Sequence, residues 1–79
     1  MQISVKLLAT YRKKLPDDTI GSTCQLEVPA HSAVRQIVEQ FDLTCDESNV
    51  VLINGRVAEP DQILQNEDVV CVFPAFAGG

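Results

Sequence analysis

The chain has 79 residues, about half of the roughly 150 residues of a typical domain, so one folded domain is expected and no second. Hydrophobic residues make up 46% of the sequence and charged residues 22%, which excludes the composition of a disordered chain. Eleven acidic against six basic side chains give a net charge of −5, which argues against nucleic-acid binding because such a surface repels phosphates.

Hydropathy gives no sign of a membrane segment. No apolar run approaches the roughly 18 residues that a membrane-spanning helix needs. The first six residues alternate polar and apolar side chains and lack the apolar centre of a signal peptide. A soluble, cytoplasmic protein without a membrane partner is therefore expected.

Basic charge is concentrated near the start of the chain. Four of the six basic residues fall in the first sixteen positions, where there is no acid; they are Lys6, Arg12, Lys13 and Lys14. Two interpretations stay open at this point: a solvated face beside the first strand, or an electrostatic docking patch for an acidic partner.

The first third of the chain predicts two strands. Residues 2–8 alternate polar and apolar side chains, which is typical of a strand with one face on a core. The apolar members are Ile3, Val5 and Leu7. Residues 9–15 predict a short helical turn, and residues 23–28 alternate again. The connection between the two strands is too short for a crossover helix, so antiparallel pairing is expected.

One clear helix follows. Four apolar residues recur at helical spacing, with Ser32 before them as the expected amino-terminal cap. They are Val34, Ile37, Val38 and Phe41. The opposite side of the helix is polar, which predicts a helix that covers one face of a sheet and meets water on its other side.

The second half predicts a hairpin and a final strand. Residues 50–53 form a short apolar run, and Asn54-Gly55 after them is a strong signal for a hairpin with a brief return strand. Residues 69–73 are apolar at every position, which suits a central strand with neighbours on both sides.

Taken in order, these elements predict an α+β domain that resembles the β-grasp arrangement of ubiquitin-like domains. It would have a mixed sheet of four to five strands, the last strand parallel to the first, and one main helix on one face. Ile63 and Leu64 are expected to pack inward between polar neighbours. We expect residues 1–74 to form this domain and residues 75–79 to form a flexible tail.

The usual catalytic and metal-binding patterns are missing. Cys24, Cys45 and Cys71 show no Cys-x-x-Cys spacing and are accompanied by one histidine, His31, which precedes the helix and is expected in a turn. Structural roles are expected for Cys24 and Cys71, which lie in strand-like runs where a free cysteine acts as a small buried hydrophobe. Cys45 lies in a predicted loop and could be reactive, but no cationic residue adjoins it in the sequence to activate the thiol. No redox or nucleophilic role is predicted. The sequence predicts no metal site and no permanently bound cofactor, and the chain is not expected to be an enzyme by itself.

The Gly78-Gly79 end is the feature that points to a function. Glycine has no Cβ, so such an end passes through a narrow channel and presents its carboxylate to a partner's reactive centre. A carboxylate is a poor electrophile and must first be activated, for example through adenylation by ATP. The glycyl carbonyl then passes either to a sulfur donor, giving a thiocarboxylate, or to an enzyme cysteine, giving a thioester bound for lysine conjugation. A plain interaction module with an inert tail is a third alternative.

The whole chain resembles the small, sulfur-carrying subunit of molybdopterin synthase, which is a ubiquitin-like protein. The residues that carry the resemblance are Val5–Ala9 followed by Arg12, then Val51–Arg56, Glu67–Val70 and Phe73–Gly79. The family typically ends in Phe/Ile-Pro-Pro-Val-x-Gly-Gly. This chain departs from that ending at Ala75, where a second proline is common, and at Phe76, where valine is common.

The resemblance implies a carrier function centred on Gly79. A ubiquitin-activating-type adenylyltransferase would use ATP to adenylate Gly79, and a persulfide sulfur donor would convert it to a thiocarboxylate. The tail would then enter the large catalytic subunit of a heterotetrameric molybdopterin synthase and give its sulfur to a pterin precursor in molybdenum cofactor biosynthesis. A thiamin-pathway sulfur carrier and a protein modifier conjugated through Gly79 are the alternatives.

The same resemblance names the residues that would contact the partner. They are Phe73, Pro74, Ala75, Phe76, Ala77 and Gly78. An apolar anchor is expected from the aromatic residues and the proline, because aromatic side chains concentrate interface energy. For Phe73, ordinary core packing is an equal alternative.

Overall fold

The computed structural model describes residues 1–16 and 21–75. The elements in chain order are β1 (Gln2–Leu7), a 3₁₀ helix (Ala9–Lys14), β2 (Thr23–Glu27), α1 (Val34–Gln40), β3 (Asn49–Ile53), β4 (Arg56–Val57) and β5 (Val69–Pro74). Each predicted strand and helix is present, with ends that differ by one or two residues. No helix in the described part of the chain is long and apolar enough to cross a bilayer.

The five strands form one mixed sheet in the order β2-β1-β5-β3-β4. β1 pairs antiparallel with β2 and parallel with β5, while β3 pairs antiparallel with both β5 and β4. The apolar final strand therefore lies at the centre of the sheet, beside the first strand and parallel to it. This confirms the predicted α+β, β-grasp arrangement.

The core lies between the sheet and α1. Strand alternation sends every second side chain to this side, and the buried strand residues are Ile3, Val5, Leu7, Val51, Ile53, Val70 and Val72. The apolar stripe of α1 meets them, and Val34, Ile37 and Val38 are at most 1% exposed. The polar side of α1 is exposed, so the helix covers one face of the sheet as predicted.

The amino-terminal cap of α1 differs from the prediction. Ala33, not Ser32, occupies the cap position, and the Gln36 side chain accepts the Ala33 N–H at 2.7 Å. The Ser32 hydroxyl instead donates to the Pro29 carbonyl at 2.7 Å. The prediction of a Ser32 cap was wrong because this hydroxyl bonds backward to the turn that precedes the helix.

The carboxyl-terminal end of α1 forms a Schellman motif. Asp42 takes a left-handed conformation with φ of 60°, its N–H donates to Glu39 O, and the Leu43 N–H donates to Val38 O. The turn directs Leu43 into the core, where it is 6% exposed.

The two residues predicted to pack inward before β5 behave differently. Leu64 is 2% exposed and belongs to the core, whereas Ile63 is 50% exposed and forms an isolated antiparallel bridge with Ala33. In an irregular segment neighbouring side chains point in different directions, so only one of the two reaches the core. The inward packing predicted for Ile63 was wrong.

Candidate functional site

The structure describes three of the seven residues predicted to form the site. Phe73 and Pro74 end the central strand β5, and Ala75 follows it. The other four predicted residues, Phe76, Ala77, Gly78 and Gly79, lie outside the described residues. The described part of the site is thus the place from which the chain continues toward Gly79.

This place is held by backbone pairing on both edges of β5. Asn49 at the start of β3 is the register partner of Pro74, and the Ala75 N–H donates to Ser48 O at 3.0 Å. We refer to Ser48, Asn49, Pro74 and Ala75 as the tail root. On the other edge, the Leu8 N–H donates to Val72 O at 3.1 Å, so the end of β1 is also bonded to β5 here.

Polar side chains brace the tail root from two sides. The Tyr11 hydroxyl of the 3₁₀ helix donates to Asn49 Oδ1, and Asn49 Nδ2 donates to Thr44 O at 2.7 Å. One side chain thus joins the 3₁₀ helix, the loop before β3 and the strand that pairs with Pro74. Tyr11 and Asn49 were not predicted from the sequence, because no local pattern marks a contact between residues 38 positions apart.

A carboxylate orders the loop beside the tail root. Asp46 Oδ1 accepts the Ser48 hydroxyl and, at 2.9 Å, the Ser48 N–H. The Ser48 hydroxyl, the Ser48 N–H and the Thr44 hydroxyl, in that order, hold the pKa of Asp46 below its ordinary value. These bonds fix the Ser48 carbonyl that receives the Ala75 N–H.

The side of the sheet opposite α1 carries an apolar surface. Side chains alternate along β3 and β5, so the residues between the buried ones point to this side. Exposed Val57 of β4 joins them through its pairing with Leu52. We call this surface the open face and define it by Val50, Leu52, Val57, Val69, Cys71 and Phe73. Val50 pairs with Phe73, and Leu52 pairs with both Cys71 and Val57. The face therefore extends across three adjacent strands as an apolar patch of the kind that marks an interaction site.

The open face decides between the two interpretations of Phe73. Its neighbours Val70 and Val72 are buried in the core, whereas Phe73 is half-buried opposite Val50 on the open face. Core packing is therefore not its environment. The sequence signal for this face was the apolar run at every position of two strands, since a sheet covered on one side needs apolar residues at only alternate positions.

Positively charged side chains cluster in the 3₁₀ helix at one end of the sheet. Arg12, Lys13 and Lys14 are exposed in the last turn of the 3₁₀ helix, which packs against β5. Within residues 1–16 and 21–75 the ion pairs join Arg35 to Asp61 at 2.9 Å and the amino terminus to Glu27 at 3.8 Å. The three helix cations take part in neither pair.

The three cysteines are free and half-buried. Burial raises the pKa of each thiol, and for Cys71 the neighbouring Lys6 partly offsets this effect. Cys24 packs against the core, as expected for a structural residue, and so does Cys45, for which no role was predicted. Cys71 was expected to be a buried strand residue but is half-buried on the open face, because α1 covers only the other side of the sheet. Among the described residues, no group of three or more His, Cys, Asp or Glu side chains is arranged to hold a metal ion.

His31 and a depression at the far end of the domain add no reactive group to the site. His31 is exposed in a turn with φ of 68°, as predicted. The depression, of about 400 Å³, lies between the β3–β4 hairpin and residues 62–65. The carboxylate in this depression, Asp68, accepts hydrogen bonds from Asn54 Nδ2 and the Gln65 N–H. These bonds give Asp68 a structural role.

The protein family described as the ThiS family matches residues 5–79, which is nearly the whole chain and includes all of the predicted site. The chain belongs to the ThiS family. This confirms the resemblance to ubiquitin-like sulfur carriers drawn from the sequence, and members of this family are small carrier proteins rather than self-sufficient enzymes. No curated protein matches the chain at a significant level.

Solved structures share the fold. The Haloferax volcanii small archaeal modifier protein 1 matches with a TM-score of 0.76 at 17% identity, over 95% of this chain and 98% of that one. A putative molybdopterin converting factor subunit 1 from Pyrococcus furiosus matches with a TM-score of 0.73 at 24% identity, over 95% and 98%. A Helicobacter pylori complex of subunits 1 and 2 of molybdopterin-converting factor matches with a TM-score of 0.63 at 13% identity, over 100% of both chains.

Proposed function

We propose that this ThiS-family chain is the small subunit of a molybdopterin synthase and carries sulfur on Gly79 as a thiocarboxylate. The observation that carries the proposal is the family match, which runs through the Gly78-Gly79 end. The central position of β5 supports it, because this strand leads from the middle of the sheet directly toward that end. The domain then needs no catalytic side chain and serves to present its tail.

The proposed chemistry takes place on the tail carboxylate and begins with ATP. A carboxylate oxygen of Gly79 attacks the α-phosphate of ATP in the site of a ubiquitin-activating-type adenylyltransferase, which forms a glycyl adenylate and releases pyrophosphate. The terminal sulfur of a persulfide then attacks the glycyl carbonyl, and AMP leaves with the bonding electron pair. A second thiol breaks the S–S bond of the acyl disulfide, so the thiocarboxylate stays on Gly79 and the donor is left as a disulfide.

The proposed partner for sulfur delivery is the large catalytic subunit, which would receive the tail and the pterin precursor. The open face supports such docking, since Phe73 and its apolar neighbours lie on the same strand that leads to the tail. The similar H. pylori protein is described in a complex of subunits 1 and 2, which supports a large-subunit partner. In this proposal Phe73, Pro74 and Phe76 anchor the body while Ala77 and Gly78 pass into the channel.

Mass spectrometry of the reacted chain tests the proposal. The chain is incubated with the adenylyltransferase of its host, ATP and a persulfide donor, and the expected product is heavier by the difference between one sulfur and one oxygen atom. A variant that lacks Gly78 and Gly79 is the matched control and should keep its mass. An unchanged mass of the native chain would contradict the proposal.

A protein modifier conjugated through Gly79 is the second candidate, and the fold likeness to the H. volcanii modifier protein favours it. It shares the adenylation step and differs in the acceptor, which would be a lysine amine. Proteolysis of host proteins would then give branched Gly-Gly remnants on lysines. A thiamin-pathway sulfur carrier would form the same thiocarboxylate, and transfer of its sulfur to the pterin precursor by the large subunit separates the two pathways.

A further inference from the structure

The basic residues of the 3₁₀ helix lie at the same end of the sheet as the tail root. β1 and β5 are parallel, with Leu7 opposite Val72, so both strands end on this side. The 3₁₀ helix follows β1 directly, and the chain toward Gly79 follows β5 directly. Parallel pairing thereby brings a cationic turn and the tail together although about sixty residues separate them in the sequence.

The position of this cationic turn relative to the tail root is fixed by the fold. The Tyr11–Asn49 hydrogen bond ties the helix to the strand that pairs with Pro74, and the Leu8 N–H bond to Val72 O ties its start to β5. Leu15, just after the helix, is 7% exposed and anchors its far end in the core. The fold therefore holds the helix that carries the three cations at a fixed place beside the tail root.

The three cations form a local basic cluster on a chain that is acidic overall. The chain carries −5 overall, yet Arg12, Lys13 and Lys14 are adjacent, exposed and outside the ion pairs of the described residues. A three-residue cluster on so acidic a body would hold a nucleic acid poorly, because phosphates next to it would meet the acidic surface. An acidic protein surface of limited extent is the better complement.

We propose that Arg12, Lys13 and Lys14 dock onto carboxylates at the rim of the tail channel in the adenylating enzyme. When the tail enters its channel, the rim of that channel faces the 3₁₀ helix, so carboxylates at the rim would pair with the three cations. The inference rests on adenylation of Gly79, which the sulfur-carrier and modifier candidates share. It assigns recognition of the carrier in that step to three residues of the folded domain.

Steady-state ATP–pyrophosphate exchange with the host adenylyltransferase tests this docking. Arg12→Glu places a carboxylate in the cluster, and Arg56→Glu is the matched control, because exposed Arg56 lies on β4 at the opposite end of the sheet. Both substitutions change the net charge by −2. Arg12→Glu is expected to raise KM for the carrier about five- to tenfold at low salt with kcat little changed, since rim charges act mainly on association. Arg56→Glu should stay within about twofold of the native chain.

Salt and a conservative variant complete the test. The difference between Arg12→Glu and the native chain should shrink as ionic strength rises, and Arg12→Lys should restore most of the native KM. Equal KM changes for Arg12→Glu and Arg56→Glu, or a change that salt does not affect, would overturn the docking inference while adenylation itself stands. If the native chain supports no exchange, adenylation of Gly79 fails, and the docking inference fails with it.

Discussion

Phe73 of β5 and Val50 of β3 are register partners on the side of the sheet that α1 does not cover, and both are half-buried there. The next residue on either side of Phe73 points elsewhere: Val72 enters the core, and Pro74 pairs with Asn49 at the tail root. Three consecutive residues of one strand thus contribute to the core, to the apolar open face and to the exit of the tail.

Replacement of Phe73 by serine should separate binding from stability. Because Phe73 is half-buried on the open face and lies outside the core, we expect the free energy of unfolding to fall by about 1 kcal/mol. Affinity for the large subunit should fall by about tenfold or more, because aromatic residues dominate interface energy. Urea unfolding and calorimetric titration with the large subunit of the host measure the two effects.

Val70→Ala is the control for this variant, since Val70 lies on the same strand but is 0% exposed. It should lower the free energy of unfolding by about 2 kcal/mol and leave the affinity of the folded fraction unchanged. A Phe73→Ser variant that keeps native affinity for the large subunit, with or without the expected stability loss, would show that the open face is not an interface.

Asn54 should tolerate glycine better than alanine. It combines a left-handed φ of 52° with two hydrogen bonds, from the Val69 N–H to Oδ1 and from Nδ2 to Asp68, each 2.9 Å long. Asn54→Gly loses these bonds and should lower the free energy of unfolding by about 1 to 2 kcal/mol. Asn54→Ala loses the same bonds but keeps a Cβ in the left-handed region, which glycine avoids, so it should cost about 1 kcal/mol more than Asn54→Gly. Chemical denaturation ranks the two variants, and an alanine variant as stable as the glycine variant would refute this account.

Asp42→Gly should stabilise the domain. Asp42 holds the left-handed position of the Schellman motif, where glycine has no Cβ penalty, and its carboxylate lies at the negative end of the α1 dipole. We expect a gain of about 1 kcal/mol in the free energy of unfolding. Glu39→Gly, inside the same helix, is the matched control and should lose about 1 kcal/mol. A loss at both positions would mean that the turn after α1 does not strain Asp42.

Asp46 should contribute stability that acid removes. Hydrogen bonds, first of all from the Ser48 hydroxyl, lower its pKa in the folded state below the ordinary value of 3.8. The folded state therefore binds this proton less readily than the unfolded state does, so the contribution is complete above the unfolded pKa and is lost as the pH falls through the folded pKa.

Urea midpoints of the native chain and Asp46→Asn as a function of pH measure this contribution. The advantage of the native chain should be constant at neutral and mildly acidic pH and should decrease as the pH falls below the ordinary pKa of 3.8 and through the lower folded pKa. An advantage that stays unchanged throughout the acid range would show that Asp46 acts through packing and not through its charge.

The sequence was sufficient for the fold wherever local patterns decide it. Alternation in β1 and β2, helical spacing in α1 and the Asn54-Gly55 turn each depend on neighbouring residues, and the apolar β5 indicated its own central place. The resemblance of the sequence to sulfur carriers was confirmed at the level of the family.

Other features depended on contacts that no local pattern records. Ser32 offered a good cap hydroxyl, but the Pro29 carbonyl lay within its reach. The Tyr11–Asn49 contact joins residues far apart in sequence. The open face was not recognised because the apolar run of β5 was attributed to neighbouring strands, although strands at its edges leave its two faces uncovered.

The central place of β5 also affects how the domain responds to force. A partner that grips the chain beyond Ala75 pulls β5 along its own length, while β1 and β3 hold it on both edges. The bonds along the two edges then share the load in shear, instead of opening one after another as in a peeled edge strand. We therefore expect the domain to resist unfolding when a partner pulls on its carboxyl-terminal end.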